Sequence, residues 1–253
     1  MPNKARYIGF AGTESYDLIM YLAVLLTVSD NKVLLVDNSL EKALSLCIPA
    51  ADVISAKKKA CYGKLDIRKD TCAETLEGEY DYILADLGQE ASNKELKACD
   101  TLFLVTDTRL HNMIKIAALS SVSDNTCLLI RDITEGMEEK YLHKLLQEKG
   151  IQERGTQERG CYYLYLDEAD REMAVSLQYY HNFSYKKLSP AIRYFLRDTL
   201  REALGIEEEQ LGMAEKKLKR REWDACGFLG TGSRADRDNL LSGGSRPCGS
   251  LPV

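Results

Sequence analysis

The chain has 253 residues, 45% hydrophobic and 29% charged, with a formal net charge of −5. That length suits one large α/β domain or a domain plus a tail, and the composition excludes a fibrous or wholly disordered chain. An acidic chain gains little from a phosphate backbone, so nucleic acid is not an expected partner, and no apolar run reaches the ~20 residues of a membrane span.

Residues 6–10 (RYIGF) read as a strand and 15–29 as a helix that is apolar on nearly every side. After the turn signal Ser29-Asp30-Asn31, residues 32–37 (KVLLVD) read as a second strand. Strand, helix and strand make a βαβ unit, and a helix apolar all round belongs deep in a core. Apolar strands follow at 80–86 (YDYILAD), 101–106 (TLFLVT), 126–131 (TCLLIR) and 161–166 (CYYLYL). Helical patterns lie at 93–98, 111–122, 137–149, 168–179 and 190–204. Continuously apolar strands imply a sheet covered on both faces. Their alternation with helices predicts an α/β fold with a doubly wound, mostly parallel sheet flanked by helices. The repeated QERG at 152–155 and 157–160 reads as a lengthened surface loop.

The composition changes after residue 205. The expected division is an α/β domain over 1–205, then a charged helix and disordered C-terminal tail over 206–253. Glutamates open that helix and Lys216, Lys217, Lys219, Arg220 and Arg221 close it, the order the helix dipole favours. The same cations offer a peripheral contact for an anionic membrane.

Glu14 and Asp17 interrupt the apolar amino-terminal stretch, which argues against a secretory leader. The eight cysteines include no C-x-x-C pair and there are three histidines, so the spacing of a zinc or iron–sulfur site is missing. Reduced thiols in a cytoplasmic protein are expected, with Cys127 and Cys161 as core residues of apolar strands. His111, His143 and His181 show no nucleophile or metal constellation and read as surface or helix-face residues.

The opening IGFAGTESYDLIMYLAVLLTVSDNKVLLVDNS resembles the start of the ParA/MinD family of P-loop ATPases. That family has K-G-G-x-G-K-[ST]-[ST], then a Leu-Ala and a strand ending in Asp. Leu22-Ala23 and residues 32–37 fix the register without gaps. YDYILADLG is similar to the family's second acidic strand, CDTLFLVTDT to the strand after it, and LSPAIRYFLRDTLREAL to its closing helix. LLIRD stands where a strand normally ends in Asn-Arg, without the Asn that helps hold the base. The resemblance covers roughly residues 1–205 and implies a P-loop NTPase-like fold, with Asp37 and Asp86 at the family's acidic positions.

In that register the family's leading lysine falls on Phe10 and its glycines on Ala11, Gly12 and Glu14. Its phosphate-binding lysine falls on Ser15, its magnesium-binding hydroxyl on Tyr16, and its next Ser/Thr on Asp17. The resemblance thus implies a degenerate nucleotide site of Gly12, Thr13, Glu14, Ser15, Tyr16, Asp37 and Asp86, with no catalytic and no metal-binding residue assigned. No cofactor is expected, beyond weak binding of ATP and Mg²⁺. A P-loop works by aiming backbone N–H groups and a lysine at phosphate oxygens. Losing the lysine forfeits a bond worth ~1.5–3 kcal/mol, and Glu14 adds a repulsion of about 1–4 kcal/mol at ~4 Å. Ser15 remains a fair helix N-cap.

The expectation is a non-catalytic ParA/MinD-like scaffold or positioning protein. The TadZ/CpaE branch, which serves pilus and secretion machinery, is the nearest pattern. A protein partner is expected, and a homodimer is an option. The alternative is an active ATPase with an unorthodox loop, acting in DNA partition or on a membrane. A small-molecule binder of another α/β class would need a G-x-G-x-x-G turn that the chain lacks.

Overall fold

A computed structural model describes residues 4–49, 54–55, 57–72, 79–90, 92–119, 125–148, 161–220 and 223–225. The strands are β1 (Arg6–Gly12), β2 (Val33–Asp37), β3 (Ala60–Tyr62), β4 (Leu65–Lys69), β5 (Tyr82–Gly88), β6 (Thr101–Thr106), β7 (Thr126–Ile133), β8 (Cys161–Tyr165), β9 (Asn182–Phe183) and β10 (Trp223–Asp224). The helices are α1 (Tyr16–Val28), α2 (Asn93–Ala98), α3 (Leu110–Leu119), α4 (Glu139–Glu148), α5 (Glu168–Tyr180), α6 (Pro190–Asp198) and α7 (Glu208–Arg220). The QERG repeat and the tail beyond residue 225 lie outside the described residues.

Eight strands form one sheet in the order β3-β4-β2-β5-β1-β6-β7-β8. Every neighbouring pair is parallel except β3 with β4. Successive side chains of a strand point to opposite faces, and β1 shows both. Ile8 and Phe10 enter a core shared with α1, α5, α6 and α7. Tyr7 and Ala11 enter a second core with α2, α3 and α4. Two buried faces are why the central strands are apolar at every position. In the first core Phe10 stacks on Phe103 with centroids 4.8 Å apart, and Phe195 meets Phe103 edge-on at 5.6 Å. Helix α1 is buried continuously from Tyr16 to Leu26, as its apolar surface demands.

Several details differ from the sequence reading. β1 runs two residues further than expected, to Gly12. The β3–β4 hairpin is an addition. Its inward residues Ala60, Tyr62, Leu65 and Ile67 alternate with polar ones, and Gly63 turns the chain at φ +65°. Cys127 and Cys161 are half-buried rather than fully in the core. α6 stops at Asp198 and continues as a π-helical turn, Thr199–Ala203.

The charged helix after residue 205 is α7, and it is packed. Leu211, Ala214 and Leu218 lie on one stripe and are buried in the core that holds α1. Gln210 Nε2 donates to the Ser29 carbonyl at the end of α1 (2.7 Å). Trp223 is buried, and β10 pairs antiparallel with β9. The core therefore continues past residue 205 as far as Ala225. Among the described residues no helix is long and apolar enough to cross a membrane.

Truncating a side chain inside this seam should act as a core deletion. Leu211→Ala is expected to cost about 2–5 kcal/mol of stability, read as a lower urea midpoint. Lys216→Ala, on the exposed side of the same helix, should stay within about 0.5 kcal/mol of the parent.

Candidate functional site

The carboxyl ends of parallel strands open into the cleft where α/β folds place their sites. Here the region is shaped by how β1 ends. The strand stays paired with β6 through Gly12 and Val105, and the Thr13 amide donates to the Val105 carbonyl (2.9 Å). Only Thr13, Glu14 and Ser15 then separate β1 from α1. Gly12 has φ +124°, and a Cβ there would lie 2.0 Å from the Val105 oxygen and 2.6 Å from Ile116 Cδ1. This glycine is required by close packing of β1 on β6 and α3.

Ser15 occupies the N-cap position, yet its side chain makes no capping hydrogen bond. Its contribution is its carbonyl, which accepts from the Ile19 amide (3.1 Å). Glu14 is exposed. Tyr16 is buried, with its hydroxyl 3.4 Å from the Ala174 carbonyl oxygen. Burial, then the neighbouring Asp17 charge, pushes its phenol well above the ordinary tyrosine range.

The groups that organise this end are Asp17 and Arg131. Asp17 is 1% exposed, on the second residue of α1. Arg131 grips it with two bonds, Nη1 to Oδ1 at 2.8 Å and Nη2 to Oδ2 at 3.0 Å. The same Nη1 donates to the Glu14 carbonyl at 2.8 Å. A break in strand pairing aims this arginine. The β7–β8 register shifts between Ile130 and Ile133, and Asp132 takes the left-handed region at φ +56°. Such a bulge redirects side chains at a strand end. Asp17 and the other acids hold the Arg131 guanidinium above its usual range, against the opposing effect of burial.

Asp37 and Asp86 sit side by side on β2 and β5 in register. Asp37 is fully buried and its oxygens are occupied: Ser39 Oγ donates to Oδ1, and the Ser45 amide and Oγ both donate to Oδ2, each at 2.7 Å. Asp86 accepts from the Gly88 amide (3.1 Å). Burial, reinforced by the Asp37 charge, raises the Asp86 carboxyl to about 7.

A cleft of about 440 Å³ lies between the β1–α1 turn, the start of α3 and α5. It brings Thr13, Glu14 and Tyr16 together with Asp107, Arg109, Asn112, Arg131 and Arg171. Asp107 is held by Asn112 Nδ2 (3.0 Å to each oxygen) and by Arg109 (3.1 Å). Gly12 instead lines a neighbouring cleft of about 270 Å³ with Thr13, Gln89 and Lys115. Ser15, Asp37 and Asp86 line neither. The sequence reading therefore gathered residues that the fold divides among two clefts and a buried pair of strand ends. It gave no site role to Asp17, Arg131, Asp107, Arg109 or Arg171. A signal for the first was present: a carboxylate inside an otherwise apolar helix needs a partner.

No protein-family model and no curated protein matches the sequence. Solved structures match the fold. The MinD cell division protein of Aquifex aeolicus superposes with a TM-score of 0.55 at 12% identity, covering 80% of this chain and 98% of that one. A protein of Borrelia burgdorferi B31 described as a plasmid partition protein, bound to AMPPNP, gives 0.55 at 14% identity, covering 80% and 99%. A variant of Cyanothece McdA in complex with ATP gives 0.53 at 12% identity, covering 81% and 98%.

Two measurements test this site. Arg131→Met leaves the Asp17 charge buried and unpaired and should cost about 3–5 kcal/mol. Adding Asp17→Leu should recover part of that loss in a double-mutant cycle. For Asp86 the folded carboxyl titrates above the unfolded value near 3.9, so the folded state binds the proton more tightly. Stability from this group is present at low pH and is lost as pH rises towards about 7. Asp86→Asn should flatten that decline and raise the denaturation midpoint at pH ~8.

By its sheet order, its two helical layers and these superpositions, the chain has the fold of the ParA/MinD-type P-loop ATPases.

Proposed function

We propose that the chain is a non-catalytic scaffold or positioning protein built on this fold, with pilus or secretion machinery as the assembly it serves. The observation that carries the reading is the Asp17–Arg131 pair. It fills the start of α1 with an internal anion and cation where an ATPase of this fold needs a hydroxyl for Mg²⁺ and open amides for phosphate.

The residues present do not fit Mg·ATP. No lysine stands in the β1–α1 turn. The Thr13 amide is spent on β6, Glu14 adds a negative charge beside the turn, and both Asp37 oxygens already accept hydrogen bonds. Phosphoryl transfer depends on positioning and electrostatic stabilisation, and these groups supply neither. On this reading the protein acts through its surface, by holding protein partners. A complex of MinC with MinD is among the structures similar to this fold (TM-score 0.56, 14% identity), which supports a protein partner as the class to seek.

Of the cations considered for a membrane, Lys216, Lys217, Lys219 and Arg220 are exposed on α7, and Arg221 lies outside the described residues. The apolar stripe of α7 is buried. Contact with an anionic bilayer through these cations would be electrostatic, about 1 kcal/mol per cation, without insertion of that stripe.

A second reading, an active ATPase with an unorthodox loop, draws support from the two fold relatives solved with ATP or AMPPNP. Calorimetric titration with ATP and Mg²⁺ separates the two. The scaffold reading expects a Kd weaker than about 1 mM and no phosphate release above background. A micromolar Kd would sink it in favour of the ATPase.

A further inference from the structure

We propose that the protein assembles head to tail with further copies of itself, the basic face around α7 of one copy seating on the acidic rim at the carboxyl ends of β7 and β8 of the next. The inference uses none of the residues of the β1–α1 turn, although Arg171 and Val175 of the rim also line the cleft beside that turn.

The basic face is a built surface rather than a loose helix end. Its outward cations are Lys216 and Arg220 on α7 and Lys186 and Lys187 on the 3-10 turn Tyr185–Lys187, all exposed. Tyr185 joins the two segments. Its hydroxyl lies 3.1 Å from Glu215 Oε1, and Lys219 Nζ lies 5.9 Å from its ring centroid. The acids nearby are already used, since Arg197 bonds both Glu208 and Glu215. Glu209 is the exposed acid on the same stripe of α7, so the four outward cations leave this face with an excess of positive charge. Met213, on the same outward stripe of α7 as Lys216 and Arg220, is 52% exposed and gives this face an apolar anchor.

The acidic rim has the opposite character. Glu135 and Glu138 lie between β7 and α4, and Glu168 and Glu172 on α5, all exposed. The Leu166 amide donates to the Ile133 carbonyl at 2.8 Å, which sets these two connections side by side. Arg171 and Lys140 are exposed cations beside them. Leu166 and Val175 are 43% and 51% exposed within this rim.

Charge complementarity selects the occupant. A two-fold contact of either face with itself would set like charges together, which costs energy. Basic face against acidic rim is the pairing that neutralises both. The two faces share no residue, so each copy can hold one neighbour at each, and such a heterologous contact propagates into a ring or a filament. An interface of this kind is steered by charge and weakens with salt.

The test uses the full-length chain in sedimentation velocity and light scattering. At low salt the average mass should rise with concentration beyond a dimer. It should fall to that of one chain at about 1 M salt, where the Debye length is about 3 Å. A basic-face variant (Lys187→Glu, Lys216→Glu, Arg220→Glu) and an acidic-rim variant (Glu135→Lys, Glu168→Lys, Glu172→Lys) should each stay monomeric alone. Mixed, the intact rim of one fits the intact basic face of the other, and the two reversed faces complement each other as well, so the mixture should recover salt-sensitive assembly that neither variant shows alone. Thermal melts of both variants should match the parent, since every substituted side chain is exposed. A monomer at all concentrations in low salt overturns the proposal, as does a closed dimer that survives either reversal. Binding of anionic vesicles or DNA through the basic face, with no self-association, also overturns it and gives that face to a polyanion.

Discussion

A carboxylate placed near the start of a helix that is buried on every side cannot stay there uncompensated, because an ionised group in an apolar interior costs far more than the fold has to spare. Asp17 is in that position, and the surrounding geometry follows from its need. The cation comes from β7, two strands away from β1 in the sheet. To deliver it, the chain breaks the β7–β8 ladder and holds Asp132 in the left-handed region, a backbone state that Asp tolerates better than most residues. Arg131 then ties the helix to the turn before it through the Glu14 carbonyl. A planar guanidinium suits this task, since it meets a carboxylate with two parallel bonds and keeps a donor for the carbonyl. One ion pair thus fixes the relative placement of β1, α1 and β7.

That arrangement also explains how the turn is built. A loop that binds phosphate must curl so that successive amides face outward. Here β1 keeps pairing with β6 to its last residue and the chain turns into α1 at once. Gly12, the one glycine that matches the family pattern, serves that pairing, because any side chain would strike β6 and Ile116. Matching a motif letter and matching its physical purpose are different things. Gly12 has a role set by strand packing, and Ser15 and Tyr16 after it serve the helix start and the core.

Much of the architecture was legible because burial on two faces writes itself into every position of a strand. The apolar runs of β1, β2, β5, β6 and β7 required a covered parallel sheet, and the structure has it. β3 and β4 were not legible in the same way. They form one edge of the sheet, and their alternation of inward Ala60, Tyr62, Leu65 and Ile67 with polar residues is short and spans a turn. The site was less legible than the fold. Asp17 stood out as a charge in an apolar helix, but its partner lies 114 residues away. A strand ending in Leu-Leu-Ile-Arg-Asp does not announce a bulge. Asp37 and Asp86 were each readable as the end of a strand, but their pairing in register was not, and the serines that saturate Asp37 come from a connection with no regular pattern.

The region after residue 205 shows how composition misleads when periodicity is sparse. Its charges dominate any average, yet Leu211, Ala214 and Leu218 recur at helical spacing and are enough to seat α7 on the core. Seating it has a consequence for charge. Once the apolar stripe faces α1, the lysines and arginine on the other side are held in one orientation. Glu215, which would otherwise offset them, is turned inward to Tyr185 and Arg197. A chain with a net charge of −5 thereby shows a surplus of cations on the outer side of α7, where Glu209 is the exposed acid, while exposed glutamates lie beyond β7 and β8. The packing that buries three apolar side chains is also what separates the charges of this molecule in space.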